Sequence, residues 1–506
     1  MPKNIILCSD GTGNKGIKDR GTNVFKLFES IDLHSSRQTQ FVYYDDGVGT
    51  SKFKPLTILG GAFGLGLSRN VRQLYTELVR CYKPGDKIFL FGFSRGAYTV
   101  RVLAGFIDAA GIFDIKNAQD DVELLRTVRT AYRLYRKKYR ALLSEILYYS
   151  LGWIPRLIYR LLGVHCLACN VDEFRKRFSI KPGKGAVNGR VSIEFIGVWD
   201  SVAAVGLPIY ELTWFLDRVV YKFNFCDKTL SPSVKKGCHA VSLDDERKTF
   251  HPMLWDERNE KKRRIDQVWF AGVHSNVGGG YPRQGMSLVA MKWMLDQAKR
   301  SGLRLTVTDQ DFYTTHGNVY DKLYDSRAGL AIYYRYKPRD VYTMCAEKGI
   351  TPRLHESVLD RIASMSTGYA PGNVPHNVEF APDTMASPRL KRAEKAIRQA
   401  LGQDTSTLQR VRPWVWLRKW THFFLLVFTG IALYYTFYAD GTVESIAMSI
   451  QDTFSNQGML EKGWYLLQTR PWVVLVIIAM YGLSRFIRGV MHRTYSRFWY
   501  PLVQRL

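Results

Sequence analysis

The stretch Lys87 to Ala110, KIFLFGFSRGAYTVRVLAGFIDAA, constrains the fold more than any other part of the chain. The apolar run Lys87 to Phe91 reads as a strand, it ends in Gly92-Phe-Ser-Arg-Gly96, and Ala97 to Ala110 reads as a helix. A strand that turns directly into a helix lays that helix back over its own sheet, which is the connection of a parallel α/β fold. Ser94 stands at the apex of the turn, between two glycines whose missing Cβ atoms let strand and helix approach. The helix that follows brings backbone N–H groups and the positive end of its dipole beside the serine hydroxyl. This makes Ser94 a candidate nucleophile; the bland reading is a tight turn with a structural serine.

The rest of the N-terminal half agrees with that architecture. Asn4 to Cys8 and Gln40 to Tyr44 read as short buried strands, and residues 68–82 follow helical periodicity up to Pro84-Gly85-Asp86. A serine hydroxyl needs a base, and the expected order is Ser, then Asp or Glu, then His. Val191 to Val198 reads as a strand that delivers Asp200 at its carboxyl end, where open α/β sheets place their chemistry. Gln267 to Phe270 reads as another, followed by a glycine-flanked loop carrying His274. The rivals are weaker: Asp266 is expected before its strand, and His239 and His251 in helical or loop contexts. The oxyanion donors expected are the N–H of Arg95 and an N–H from Asp10-Gly11-Thr12-Gly13, with Gly11 or Thr12 as the donor. That loop lacks the G-x-x-x-x-G-K-[ST] pattern of a nucleotide site. Gly60-Gly61-Ala-Phe-Gly64-Leu-Gly66 fits a mobile lid or pore-facing wall and a close-packed turn equally well. His165-Cys166-Leu-Ala-Cys169 has no second pair at finger spacing and reads as ordinary thiols. No cofactor and no metal are expected.

These blocks resemble a bacterial and fungal family of uncharacterised α/β-hydrolase domains that includes the phospholipase effectors of type VI secretion. The likeness rests on Asn4 to Asn14 (NIILCSDGTGN), Gly47 to Thr50, Pro84 to Arg101, Gly197-Val-Trp-Asp200, Trp269 to Tyr281 (WFAGVHSNVGGGY) and His355 to Val358, and covers roughly residues 1–375. It implies Ser94 as nucleophile, His274 as base, Asp200 as the acid that orients it, and hydrolysis of lipid acyl esters. Where the family usually has His-Ser-Asp, this chain has His274-Ser275-Asn276.

Charge and hydropathy point to a membrane. Lys and Arg outnumber Asp and Glu by 72 to 45, a net charge of +27 that calls for anionic neighbours. No zinc-finger, helix-turn-helix or RNA-recognition signature supports nucleic acid, which leaves phospholipid head groups. Thr421 to Ala439 is an uncharged apolar run of 19 residues, about the length that crosses a ~30 Å hydrocarbon core. Trp464 to Leu483 is a second candidate, with Arg470 snorkelling to one face. Trp414, Trp416, Trp420 and Phe498-Trp499-Tyr500 suit the two interfaces. Arg410, Arg412, Arg418 and Lys419 before the first run, and five arginines from Arg485 to Arg505 after the second, put both ends in the cytoplasm. Arg126 to Arg140 and Ala141 to Val164 read either as solvated helix faces or as an insertion, about 115–190, that docks on anionic lipid. The seven cysteines are too few and too scattered for a disulfide scaffold, and the N-terminal apolar run is too short for a signal peptide.

The expectation is therefore an α/β-hydrolase body over residues 1–400, a mostly parallel sheet with helices on both faces, tethered by a C-terminal transmembrane hairpin within 401–506. It is expected at a bacterial inner membrane, facing the cytoplasm, and to cleave phospholipid acyl esters under restraint by a lid, self-assembly or an immunity protein. Two alternatives stay open: a membrane-bound scaffold that keeps the fold without turnover, and an esterase or thioesterase for small substrates.

Overall fold

The computed structural model describes residues 2–11, 21–34, 39–47, 66–139, 170–183, 186–203, 228–364, 368–381, 388–403, 410–438, 464 and 466–504. Among the described residues eight strands form one sheet: β1 Asn4–Ser9, β2 Gln40–Asp45, β3 Lys87–Phe93, β4 Ile193–Trp199, β5 Val234–Ser242, β6 Ile265–Phe270, β7 Arg353–His355 and β8 Glu379–Ala381. Their order is β2-β1-β3-β4-β5-β6-β7-β8, and every neighbouring pair is parallel.

Strand alternation sorts the core onto the two faces. Ile5, Leu7, Ile88 and Leu90 point to one face, where helices Leu67–Cys81, Arg95–Ala110, Asp121–Arg136 and Val171–Phe178 cover them. Ile6, Cys8, Phe89 and Phe91 point to the other, beneath Asn23–Glu29 and Gly285–Arg300. Because β1 lies between β2 and β3, the connections leaving β1 and β3 diverge. An open parallel sheet forms its crevice at such a reversal, outside the carboxyl ends of the strands. Asp10 and Ser94 follow those two ends.

Several expectations need correction. His239 lies within the central strand β5, and Asp266 lies inside β6, where it pairs with Lys236 and Arg353. The basic run needs no such correction: Arg126 to Arg136 belongs to Asp121–Arg136, whose Leu124, Val128, Ala131, Tyr132 and Tyr135 are packed into the core while Arg126, Arg129 and Arg133 are exposed. The segments 141–164 and 165–169, and residues 60–65, lie outside the described residues; Gly66 directly precedes the Leu67–Cys81 helix.

At the C-terminal end, Arg412–Tyr438 and Pro471–Val503 are helices that pack along each other. One helix among the described residues, Pro471–Val503, is long and apolar enough to cross a membrane by length and composition. Its start corrects the expected second span: the helix begins at Pro471, where proline needs no hydrogen-bond acceptor, and Arg470 directly precedes it. Its far end is not an interfacial belt. Phe498 and Trp499 are buried with Val378, Ile397 and Leu401, and the Trp499 indole donates to the Pro371 carbonyl at 2.8 Å. Arg485 and Arg488 both pair with Asp325, and Arg418 on the partner helix pairs with Glu246 at 2.9 Å. The helix pair is thus clasped to the body at one end. Replacing a buried tryptophan by alanine costs about 3–5 kcal/mol, so Trp499→Ala should lower the unfolding midpoint of the detergent-solubilised chain by several degrees. A midpoint equal to wild type would place Trp499 outside the body's core.

Candidate active site

Ser94 sits between β3 and the Arg95–Ala110 helix with φ 58° and ψ −121°, a left-handed turn held by Ser94 N–H donating to the Trp199 carbonyl at 3.0 Å. The two flanking glycines are required by space rather than by their own dihedral angles. A Cβ on Gly92 would lie 2.6 Å from the Gly96 carbonyl, and one on Gly96 would lie 2.1 Å from the Ser9 carbonyl oxygen. The elbow is therefore pressed against the end of β1.

His274 is the first residue of the short helix His274–Gly278, just after β6. Its Nε2 lies 2.8 Å from Ser94 Oγ and its Nδ1 lies 2.6 Å from Asp200 Oδ2. All three residues are buried. The ring is sandwiched: Phe93 lies against it with centroids 4.6 Å apart, and Phe250 meets it edge-on at 5.0 Å. The His274 backbone N–H donates to Asp245, and Asp245 is held in turn by Arg247 at 2.7 Å.

Asp200, with φ 38°, stands at the end of β4 and receives five hydrogen bonds. Ser242 gives its N–H at 2.9 Å and its hydroxyl at 3.1 Å, His274 gives one, and the Arg339 guanidinium forks onto both oxygens at 2.7 and 2.8 Å. Burial alone would raise the carboxyl's proton affinity, but the Arg339 charge and hydrogen bonds, with His274, outweigh it and hold Asp200 well below the usual carboxylate range. For His274 burial prevails over Asp200 and pushes the imidazole below its ordinary value near 6.5. The ring is therefore neutral at neutral pH, with Asp200 ionised behind it.

The sequence-based site residues thus meet in part. Ser94, His274 and Asp200 come together, and Arg95 opens the helix behind the serine. Asp10 lies across the crevice, but its carboxylate is occupied by Thr22 and Tyr44 hydroxyls, each at 2.6 Å. Gly11 N–H is turned onto that same carboxylate at 2.5 Å, and Thr12 lies outside the described residues. Arg339, Ser242, Asp245 and Phe250 were not read from the sequence. Ser242 closes β5 and Asp245 follows it, so both would have stood out had that strand been recognised; nothing local marks Arg339.

The sequence model of a family described as T6SS, phospholipase effector Tle1-like, catalytic domain matches residues 3–297. The chain belongs to this family. The match spans Ser94, Asp200 and His274 of the Tle1-like domain and stops short of Arg339. Among curated proteins, the uncharacterized protein YEL023C of Saccharomyces cerevisiae (strain ATCC 204508 / S288c) is 32% identical over 267 residues, 50% of this chain. The chain spans about a third of that relative's length, 33%.

The departure at Asn276 has a structural account in this Tle1-like chain. Its Nδ2 donates to the Lys322 carbonyl at 3.1 Å, while its Oδ1 accepts from the N–H groups of Tyr324 and Val273 at 3.3 and 3.4 Å. An aspartate could accept those bonds but could not donate to Lys322. Losing one buried hydrogen-bond partner costs about 1–3 kcal/mol, so Asn276→Asp should lower unfolding stability by that amount in a denaturation titration. Unchanged or higher stability would show that the amide donor is dispensable.

Proposed function

We propose that this chain is a membrane-anchored serine hydrolase that cleaves acyl esters of phospholipids. The observation that carries the reading is the hydrogen-bonded chain from Ser94 Oγ through both His274 nitrogens to Asp200, 2.8 and 2.6 Å, at the switch point of a parallel sheet. Ser94 Oγ attacks the ester carbonyl while His274 Nε2 takes its proton, and Asp200 stabilises the imidazolium that forms. The tetrahedral oxyanion falls to the Arg95 N–H at the helix N-terminus; Gly11 can join only if its contact with Asp10 opens. Collapse expels the lysophospholipid alkoxide, which receives the proton from His274, and leaves an acyl-serine. Water, deprotonated by the same ring, then releases the fatty acid and restores Ser94.

Family membership supports phospholipase chemistry, and the apolar C-terminal helix supports a bilayer as its setting. The body holds the N-terminal end of Arg412–Tyr438 and the C-terminal end of Pro471–Val503, and at their other ends Arg470 lies over the Tyr435 ring at 5.0 Å. That arrangement favours a two-pass hairpin, with the basic flanks placing the body on the cytoplasmic face.

Release of fatty acid from mixed phospholipid vesicles tests the reading. Ser94→Ala should lower it by about 10⁴-fold or more, and lysophospholipid should accumulate with wild type. Equal release by both proteins, or hydrolysis confined to soluble short-chain esters, would reject it. The base must be unprotonated, and His274 is held below about 6.5, so the acid-side midpoint of kcat/KM should fall below pH 6.5. A midpoint above 7 would contradict a desolvated histidine as the base.

A further inference from the structure

The segment Arg327–Tyr336 runs between the aromatic packing on His274 and the C-terminal helices. On one side Tyr334 meets Phe250 edge-on with centroids 5.4 Å apart, and Phe250 meets His274. On the other side the segment follows the Arg412–Tyr438 helix outward from the body. Tyr336 lies under the Arg418 guanidinium at 4.2 Å, Arg335 lies over the Phe423 ring at 5.7 Å, and the Tyr333 and Thr429 hydroxyls are 3.0 Å apart. Thr429 is eleven residues beyond Arg418, about 16 Å along a helix rising 1.5 Å per residue. Tyr333 therefore touches the helix well past the point at which the body clasps it.

The composition changes along that path in the way a bilayer demands. At the inner level stand exposed Trp416 and Trp420, with Lys419 over the Trp416 ring at 5.5 Å and Arg335 alongside. Indoles and cations together suit the head-group layer. Farther out the helix exposes Val427 and Leu433, and beside it the one-turn helix Gly329–Tyr333 exposes 84% of Leu330. A leucine presented in this way to water would lose what burial of its side chain could contribute.

We propose that the Gly329–Tyr333 turn lies in the acyl layer of a phospholipid bilayer beside the Arg412–Tyr438 helix. Arg335 and the Trp416–Trp420 belt then mark the head-group level, and Tyr334, between them in sequence and depth, holds Phe250 and His274 at the level of the glycerol esters. The substrate is a diacyl phospholipid of the leaflet in which the protein is anchored, entering sideways without leaving it. This rests on the membrane-anchored reading above.

The test uses the full chain in phosphatidylcholine–phosphatidylglycerol vesicles, with the photo-crosslinker benzoylphenylalanine placed at Leu330 or, for comparison, at exposed Val307, whose helix begins beside Ser30. Irradiation should give lipid adducts at 330 and not at 307. Adducts to protein alone at position 330, or none in chains that float with the vesicles, would overturn the proposal. Leu330→Glu should lower fatty-acid release from vesicles about tenfold more than it lowers hydrolysis of a soluble ester, since a carboxylate is excluded from the acyl layer; equal effects on both would also overturn it. If wild type releases no fatty acid yet crosslinks to lipid at 330, the phospholipase reading fails while the bilayer contact stands.

Discussion

A carboxylate with no access to water can stay ionised only if its surroundings replace the solvent it has lost. The side chains of Asp200 and Arg339 are both 0% exposed, and each depends on the other. Removing either partner would leave a buried charge uncompensated, a loss of about 3–5 kcal/mol in comparable pairs. The guanidinium also donates to the carbonyls of Ser242 and Phe250, so one side chain joins the ends of β4 and β5 to the loop that packs on His274. The alignment of His274 follows from this knot. It can be neutral and yet well oriented, because its partner is held in place by Arg339 and Ser242 rather than by the imidazole itself.

How much of this could be read from the sequence depended on how far each signal was local. Ser94, Asp200 and His274 each follow an apolar run, and strand ends of a parallel sheet converge, so order and placement were enough to group them. Strand β5 escaped because it opens Val234-Lys235-Lys236, which looks like surface. Those lysines sit at its amino end and pair with Glu194 and Asp266, while Cys238 to Ser242 are fully buried. Missing that strand displaced His239, whose ring accepts the Ser201 N–H at 3.1 Å, and hid Ser242. Strands β7 and β8 are three residues each, too short to show a period. Arg339 is one of 72 basic residues, and its partner is 139 positions away.

The C-terminal aromatics illustrate a different kind of ambiguity. A Phe-Trp-Tyr cluster after an apolar helix satisfies a membrane interface and a protein core equally well, because both offer apolar surface beside a hydrogen-bond acceptor. The choice was made by a distant acceptor, the Pro371 carbonyl, and by the Ile397 and Leu401 side chains beside it. By contrast Trp416 and Trp420, which have the same composition around them, remain exposed.

The docking of Phe498, Trp499 and Leu502 into the body has a consequence for the order of events during synthesis. These side chains complete the same cluster as Val241 and Leu243, which flank Ser242, yet they stand in the last turns of the Pro471–Val503 helix and leave the ribosome after the apolar parts of both helices. The packing around the aspartate's supporting strand therefore stays unfinished until the helices have been made and have found their environment. On the proposed reading, a chain that completes this packing only after its apolar helices exist has a built-in delay between being translated and being able to attack lipid.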